Sequence, residues 1–259
     1  ISEIYSYQFV ENPVLTNNDI ISIYYNNYSF VAVKDNGNLI TWGLKNTGGD
    51  LKKYSNLYET NEITMSFMYG ESATTSTVFK SDSIVSNPYA FAGIEDSNEN
   101  KVFFWGVVAY GGGSPSNYTN AEKLYSNKHN SFGILTDVNN GYGRFYSEGF
   151  ITNQNIFPSD VTTEGDGYIS NVKDIVGNIY GWSMIHSSGK VIVVTGFESD
   201  YLLDSSTNRL KYFVANNYDE QLLDSSLLSS NIKSLHATKY SFSALKDNPE
   251  SVVTWGGAG

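Results

Sequence analysis

Ser29-Phe30-Val31-Ala32-Val33-Lys34-Asp35-Asn36-Gly37-Asn38-Leu39-Ile40-Thr41-Trp42-Gly43 returns near the C-terminus as Ser241-Phe242-Ser243-Ala244-Leu245-Lys246-Asp247-Asn248-Pro249-Glu250-Ser251-Val252-Val253-Thr254-Trp255-Gly256. A middle copy runs from Ala90-Phe91-Ala92-Gly93-Ile94 to Val102-Phe103-Phe104-Trp105-Gly106. Self-similarity at a long period decides architecture before any one residue is interpreted. Aligned on the first aromatic, the copies start at Phe30, Phe91, Phe132, Trp182 and Phe242. Three positions on stands an aliphatic residue: Val33, Ile94, Leu135, Ile185 and Leu245. Two of the five copies lack the closing Trp.

Each copy reads as a β-hairpin. The turns are Asp35 to Asn38, Asp96 to Asn100, Asp137 to Gly141, Ser187 to Gly189 and Asp247 to Glu250. Asp, Asn and Gly accept the left-handed dihedrals of tight turns. Phe30-Val31-Ala32-Val33 and Val191-Ile192-Val193-Val194 are apolar on both faces, so layers pack on each side. Small residues at Ala32, Gly93 and Ala244 let a neighbouring sheet approach. Four-stranded antiparallel sheets, each sandwiched between copies of itself, describe an all-β fold, a β-propeller. The steps from Phe30 are 61, 41, 50 and 60 residues, and wrapping round the ends adds 47. A mean of about 52 suits a four-stranded blade. This predicts one propeller domain over 1–259 with five blades. Six or seven result if degenerate blades lie at Ile63 to Phe79 and Leu210 to Leu223. The outer strand of the last blade is expected from Ile4 to Phe9, which would tie the two ends together.

Composition narrows the function. A net charge of −11 repels a phosphate backbone, which argues against nucleic acid and anionic membranes. No apolar run approaches the roughly 18 residues of a membrane helix. The absence of cysteine excludes disulfides, thiolate metal sites and a Cys nucleophile. Abundant Asn, Ser and Tyr suit strands and turns, and fit a secreted or cell-surface protein. The start at Ile1, with no basic or apolar leader, reads as a mature chain or a domain excised from a longer protein.

Tyr28 to Gly43 followed by Gly48-Gly49-Asp50 resembles the regulator-of-chromosome-condensation repeat. Trp105-Gly106 followed by Tyr110-Gly111-Gly112-Gly113-Ser114 is similar to the same segment of that repeat. The resemblance is spread over about five segments and implies a propeller that serves as a binding platform. It departs from the family where an aromatic or Ser replaces the usual His before the Ala-Leu pair. The family's founding member is longer, with seven blades and a basic nucleosome-binding surface. This acidic chain does not carry that expectation, and no segment matches the family's nucleotide-exchange wedge. The style of the repeats is closer to copies in large bacterial surface, toxin and effector proteins.

Reactive groups are sparse. His129, His186 and His236 lie in three different copies and no pair has the His-x-x-x-His spacing of a metal helix. Asp137-Val138-Asn139-Asn140-Gly141 begins like a calcium loop, but a Gly143-Arg144-Phe145 strand follows where the loop should continue. Asp50, Glu71, Asp160, Glu164, Asp166 and Asp200 are loop acids that could converge for glycoside hydrolysis, which keeps a glycosidase-like enzyme among the alternatives, although 27 acids make chance pairs easy. No Gly-x-Ser-x-Gly elbow occurs, and Gly111-Gly112-Gly113-Ser114 runs into Pro115 rather than a phosphate-binding helix. Asn27-Tyr28-Ser29 and Asn117-Tyr118-Thr119 are glycosylation sequons, relevant only in a eukaryotic secretory route.

The expectation is therefore a non-enzymatic protein-interaction module of a secreted toxin, effector or surface protein, with no catalytic residue, metal or cofactor. Its partner would be another protein with a basic surface. Phe30, Trp42, Phe91, Trp105, Phe242 and Trp255 are expected to hold blades together. Binding is expected in the loops after each Trp-Gly, at Lys45, Asp50, Tyr110, Phe197 and Tyr201, because tyrosine is enriched in binding faces. A lectin-like module stacking glycans on aromatics is the alternative. Guanine-nucleotide exchange on a small GTPase is a further one, by family analogy alone.

Overall fold

A computed structural model describes residues 9–10, 20–49, 78–112, 118–127, 129–149, 155–157, 167–195, 203–204, 209–213, 220–247 and 249–257. These residues form twenty strands and a few 3-10 turns, with no α-helix among them. The chain divides into two compact units, Ile1–Leu124 and Tyr125–Gly259.

In the first unit, β1 (Phe9–Val10), β2 (Ile20–Tyr25), β3 (Ser29–Lys34) and β4 (Leu39–Leu44) form one sheet in the order β1-β4-β3-β2. β5 (Val85–Asn87), β6 (Ala90–Ile94) and β7 (Val102–Gly106) form a second. Both are antiparallel. The β3–β4 turn closes where the Gly37 amide donates to Lys34 O and the Lys34 amide to Asn38 O, both at 2.9 Å. Gly37 has φ +77° there, and an added Cβ would fall 2.3 Å from the Val78 side chain, so only glycine fits.

In the second unit, β9 (Ser131–Asn139) and β10 (Tyr142–Gly149) form the third hairpin, flanked by β8 (Ala121–Ser126), the strand in which the division between units falls. Asn140 at φ +50° and Gly141 at φ +80° make its two-residue turn. Next come β11 (Asn155–Phe157), β12 (Ile169–Gly177), β13 (Gly181–His186) and β14 (Val191–Thr195). The last sheet contains β15 (Leu203–Asp204), β16 (Arg209–Phe213), β17 (Glu220–Leu222), β18 (Ile232–Ala237), β19 (Ser241–Asp247) and β20 (Glu250–Gly256).

Cross-strand register gives every copy the same two faces. Phe30 lies opposite Trp42, Phe91 opposite Trp105, Phe132 opposite Glu148, Trp182 opposite Val194 and Phe242 opposite Trp255. We call the side carrying these pairs the signature face and the other the reverse face. Within the first unit, the reverse face of copy one (Val31, Val33, Leu39) packs on Phe91 and Trp105 of copy two. Within the second, Leu135 and Phe145 of copy three pack on Trp182 and Met184 of copy four. Ile185, Val191 and Val193 of copy four pack on Phe242 and Trp255 of copy five. One rule thus builds each core: reverse face onto the next signature face. Burying a large aromatic side chain contributes about 1.5–3 kcal/mol.

The glycine after Trp has its own reason. Gly43, Gly106 and Gly149 have φ +107°, +117° and +106°. A Cβ at these positions would lie 2.5, 2.6 and 2.4 Å from the carbonyl oxygens of Tyr28, Tyr89 and Asn130. The third copy keeps this glycine although it lacks the Trp.

Two features differ from the expected separate four-stranded blades. β10 pairs with β12, at Gly143↔Val172 and Phe145↔Ile169, so copies three and four share a continuous sheet. The outer position beside β20, expected to be filled by Ile4 to Phe9, is taken by β16 through the parallel pair Tyr212↔Gly256. Phe9 and Val10 instead pair with Leu44 and Gly43 of the first sheet. The remainder of 4–8 lies outside the described residues. Of the two segments offered for extra blades, Leu210 to Leu223 holds β16 and β17 of the last sheet. Most of Ile63 to Phe79 lies outside the described residues.

Candidate interaction surface

A polar side chain four or five residues before the first aromatic opens every copy. Asn26 Oδ1 accepts from the Tyr28 and Ser29 amides at 2.9 and 2.8 Å. Asn87 Oδ1 accepts from the Tyr89 amide, and Asn178 Oδ1 from those of Tyr180 and Gly181. Asn127 Oδ1 accepts from the amides of His129, Asn130 and Ser131. Thr238 Oγ1 accepts from the Ser241 amide at 3.1 Å. These Asx- and ST-type turns accept from the amides where the chain enters the strand.

In the first unit the same asparagines reach the segment after Trp-Gly. Asn26 Nδ2 donates to Thr47 O, and Asn87 Nδ2 to Tyr110 O, both at 2.7 Å. Thr47 and Tyr110 end equivalent 3-10 turns, Lys45–Thr47 and Val108–Tyr110. The Gly49 amide returns to Leu44 O and the Gly112 amide to Val107 O. A Cβ on Gly49 or Gly112 would come within 2.6 Å of the backbone of Gly43 or Gly106. Both loops are thus pinned at each end by backbone and amide bonds.

On this framework three tyrosines make a ladder. Tyr28 stacks on Tyr89 at 5.7 Å between centroids and 27° between planes, and Tyr89 lies 4.3 Å from Tyr110. Tyr28 is 46% exposed, and Val108 beside Tyr110 is 50% exposed. The Asn27 amide donates to Pro88 O, which fixes the first ring against the second. The second unit repeats the step: the Ile179 amide donates to Lys239 O, and Tyr180 lies 6.1 Å from Tyr240. Lys239 Nζ sits 4.9 Å over the Tyr240 ring. Tyr180 is buried there, so the exposed ladder belongs to the first unit.

Rigid aromatic rings with hydroxyl edges, held on pinned backbone, suit non-covalent recognition. Nearby chemistry is quiet. Burial raises the Tyr24 hydroxyl above its usual pKa, and that hydroxyl donates to Ser81 O at 2.8 Å. His186 Nδ1 contacts Ser188 Oγ, and His236 Nε2 contacts Ser234 Oγ. No group of three metal-ligating side chains occurs among the described residues. No helix among them is long and apolar enough to cross a membrane.

Of the binding residues read from sequence, Tyr110 stands in the ladder. Lys45 begins the first 3-10 turn, and its side chain lies outside what is described. Asp50, Phe197 and Tyr201 lie outside the described residues. Phe91, Trp105, Phe242 and Trp255 are buried as stacked pairs, whereas Phe30 is 41% exposed although it stacks on Trp42 at 5.2 Å. Sequence reasoning missed Tyr28, Tyr89, Tyr180 and Tyr240. Their signal was the pattern Asn/Thr-x-Tyr before the small residue and aromatic, present in four of the five copies.

No protein-family model and no curated protein matches this chain. Among solved structures it is similar to Prp20p from Saccharomyces cerevisiae, whose structure was described with its binding to Gsp1p and histones. That likeness has 13% identity and a TM-score of 0.46, and covers 92% of this chain and 58% of that one. Human WBSCR16 gives 12% identity and a TM-score of 0.47, covering 92% and 61%. The ectodomain of the Physcomitrella patens receptor kinase CR4 gives 14% and 0.45, covering 96% and 53%. The chain thus spans less than two thirds of the length of each. Likenesses of this size decide neither the ring geometry nor the role of this chain.

Proposed function

We propose that this chain is a propeller-type repeat module that works by binding another protein, with the Tyr28-Tyr89-Tyr110 ladder as the centre of the contact. The observation that supports it most is the ladder itself. Three rings from two consecutive copies lie in contact, Tyr28 stacked on Tyr89 and Tyr110 tilted against it, one half-exposed, on loops locked by Asn26 and Asn87. Preformed aromatic anchors lose little conformational entropy on binding and dominate interface energetics. The net charge of −11 favours a partner with a basic surface, chiefly through the rate of encounter. The reading is of a binding protein rather than an enzyme.

The test is affinity capture with wild-type protein and with Tyr28→Ala/Tyr110→Ala, both checked for folding by circular dichroism. A protein retained by wild type and lost from the variant supports the reading. Equal retention by both would sink the ladder as the contact. Tyr28 also offers a ring face suited to a sugar, so a glycan array belongs beside the capture. Binding to the array that the same variant abolishes would replace the protein partner with a glycan.

A further inference from the structure

Two Asn-Gly steps occur in the chain, Asn36-Gly37 and Asn140-Gly141, and each stands at the tip of a repeat hairpin. Such a step carries its own chemistry. The glycine nitrogen can attack the asparagine side-chain carbonyl carbon, because no Cβ on the glycine obstructs the approach. The fold decides whether it does, by how firmly it holds the two groups. Both asparagines are exposed, so exposure alone does not separate them.

At the first tip both groups are engaged. Asn36 Oδ1 accepts from the Asn38 amide at 3.0 Å, and the Gly37 amide donates to Lys34 O at 2.9 Å. Gly37 O accepts from the Phe79 amide at 2.9 Å, and Gly37 is buried beside the Val78 side chain. The second tip is bare. Asn139, Asn140 and Gly141 are all exposed. Among the described residues no hydrogen bond holds the Asn140 side chain or the Gly141 amide. A Cβ built on Gly141 would meet no described atom within 4 Å. The tip joins the ladder through Tyr142↔Asn139, and the register then shifts before Arg144↔Thr136. A segment with so few contacts opens at low free energy.

We infer that Asn140 is a site of spontaneous modification, at which the folded chain converts asparagine into aspartate and isoaspartate, while Asn36 is protected. The Gly141 nitrogen gives its proton to solvent base and bonds to Asn140 Cγ. The Cγ–Nδ2 bond breaks, and the nitrogen leaves as ammonia with a proton from water. Water then opens the cyclic imide at either carbonyl. One opening leaves an ordinary backbone with a side-chain carboxylate. The other routes the backbone through the side chain. Both add a negative charge beside the Arg144–Asp137 ion pair of the same hairpin. The isoaspartyl product also lengthens the backbone by a methylene, which the two-residue turn between Asn139 and Tyr142 does not accommodate. The tyrosine ladder takes no part, so this proposal and the proposed function can fail separately.

The test incubates folded wild-type protein at mildly alkaline pH in water enriched in heavy oxygen. Peptides are then mapped by mass spectrometry, with fragmentation that separates aspartate from isoaspartate. Conversion with uptake of heavy oxygen is expected at Asn140, at least about tenfold faster than at Asn36, where hydrogen bonds must break first. In denaturant the two rates are expected to converge, because both steps are then unstructured Asn-Gly. Equal or faster conversion at Asn36 in the folded protein overturns the proposal. So does an Asn140 that stays intact in the folded protein while the denatured chain converts. A difference that survives undiminished in denaturant also overturns it, since the flanking residues and not the fold would then set the rates.

Discussion

Copies one and five carry nearly the same words and meet opposite fates. Phe30 stacks on Trp42 at 5.2 Å and 11°, and Phe242 on Trp255 at 5.7 Å and 26°. Both pairs sit directly opposite in antiparallel hairpins. Yet Phe30 is 41% exposed, while Phe242 and Trp255 are 1% and 0%. Local sequence therefore sets the hairpin and the stack. What the stack contributes to stability is set by the neighbouring copy that covers it. Trp255 even buries its indole N–H without a hydrogen-bond partner among the described residues, a cost that the surrounding contacts must offset.

The largest effect should come from the covered member of the comparison. Trp255→Ala empties a fully buried site among Ile185, Val193 and Leu235 and should cost about 3–5 kcal/mol in urea unfolding. A cost below about 1 kcal/mol would mean that copies four and five do not pack as described. Next comes the glycine that both regions share in sequence. Gly43→Ala places a Cβ 2.5 Å from Tyr28 O at φ +107°, and should cost about 1–3 kcal/mol. Gly256, at φ +80°, tests the same backbone requirement in copy five. If both alanine variants are as stable as wild type, the left-handed backbone is not needed.

Hairpins, turn residues and cross-strand aromatic pairs were legible in the sequence because each is a local or fixed-spacing property. Phe30 to Trp42 and Phe242 to Trp255 could be aligned by eye. The exposure of one pair and burial of the other could not, since burial depends on which copy lies alongside. The shared sheet of copies three and four was illegible for the same reason: pairing of β10 with β12 is a long-range choice. The Asn26, Asn87, Asn127, Asn178 and Thr238 turns were visible as residues but not as a device. Asparagine is so abundant here that one more before each strand raised no signal. The Tyr28-Tyr89-Tyr110 ladder was half legible. Tyr110 stood in a loop already marked for binding, whereas Tyr28 was absorbed into the repeat segment and Tyr89 lay just ahead of the middle copy.

The asparagine turns provide the third test, because they too differ in burial between regions. Asn87 is buried, and it satisfies both the Tyr89 amide and Tyr110 O. Asn87→Ala should cost about 1–3 kcal/mol, since it leaves buried polar groups unpaired. Thr238, in an exposed turn, makes the matching bond to the Ser241 amide. Thr238→Ala should cost about 1 kcal/mol or less, as exposed groups turn to water instead. Equal costs at the two sites would show that the turns act by geometry alone. Asn87→Ala should also loosen Tyr110 and weaken any partner held by the ladder.

The smallest effect is expected at Phe30. Phe30→Ala removes a half-exposed ring stacked on Trp42, so the loss in urea unfolding should be about 1 kcal/mol or less. The gap from Trp255→Ala then measures what the covering copy adds to an otherwise equal stack. A Phe30→Ala cost of about 3 kcal/mol or more, that of a buried aromatic, would erase the distinction between the two copies.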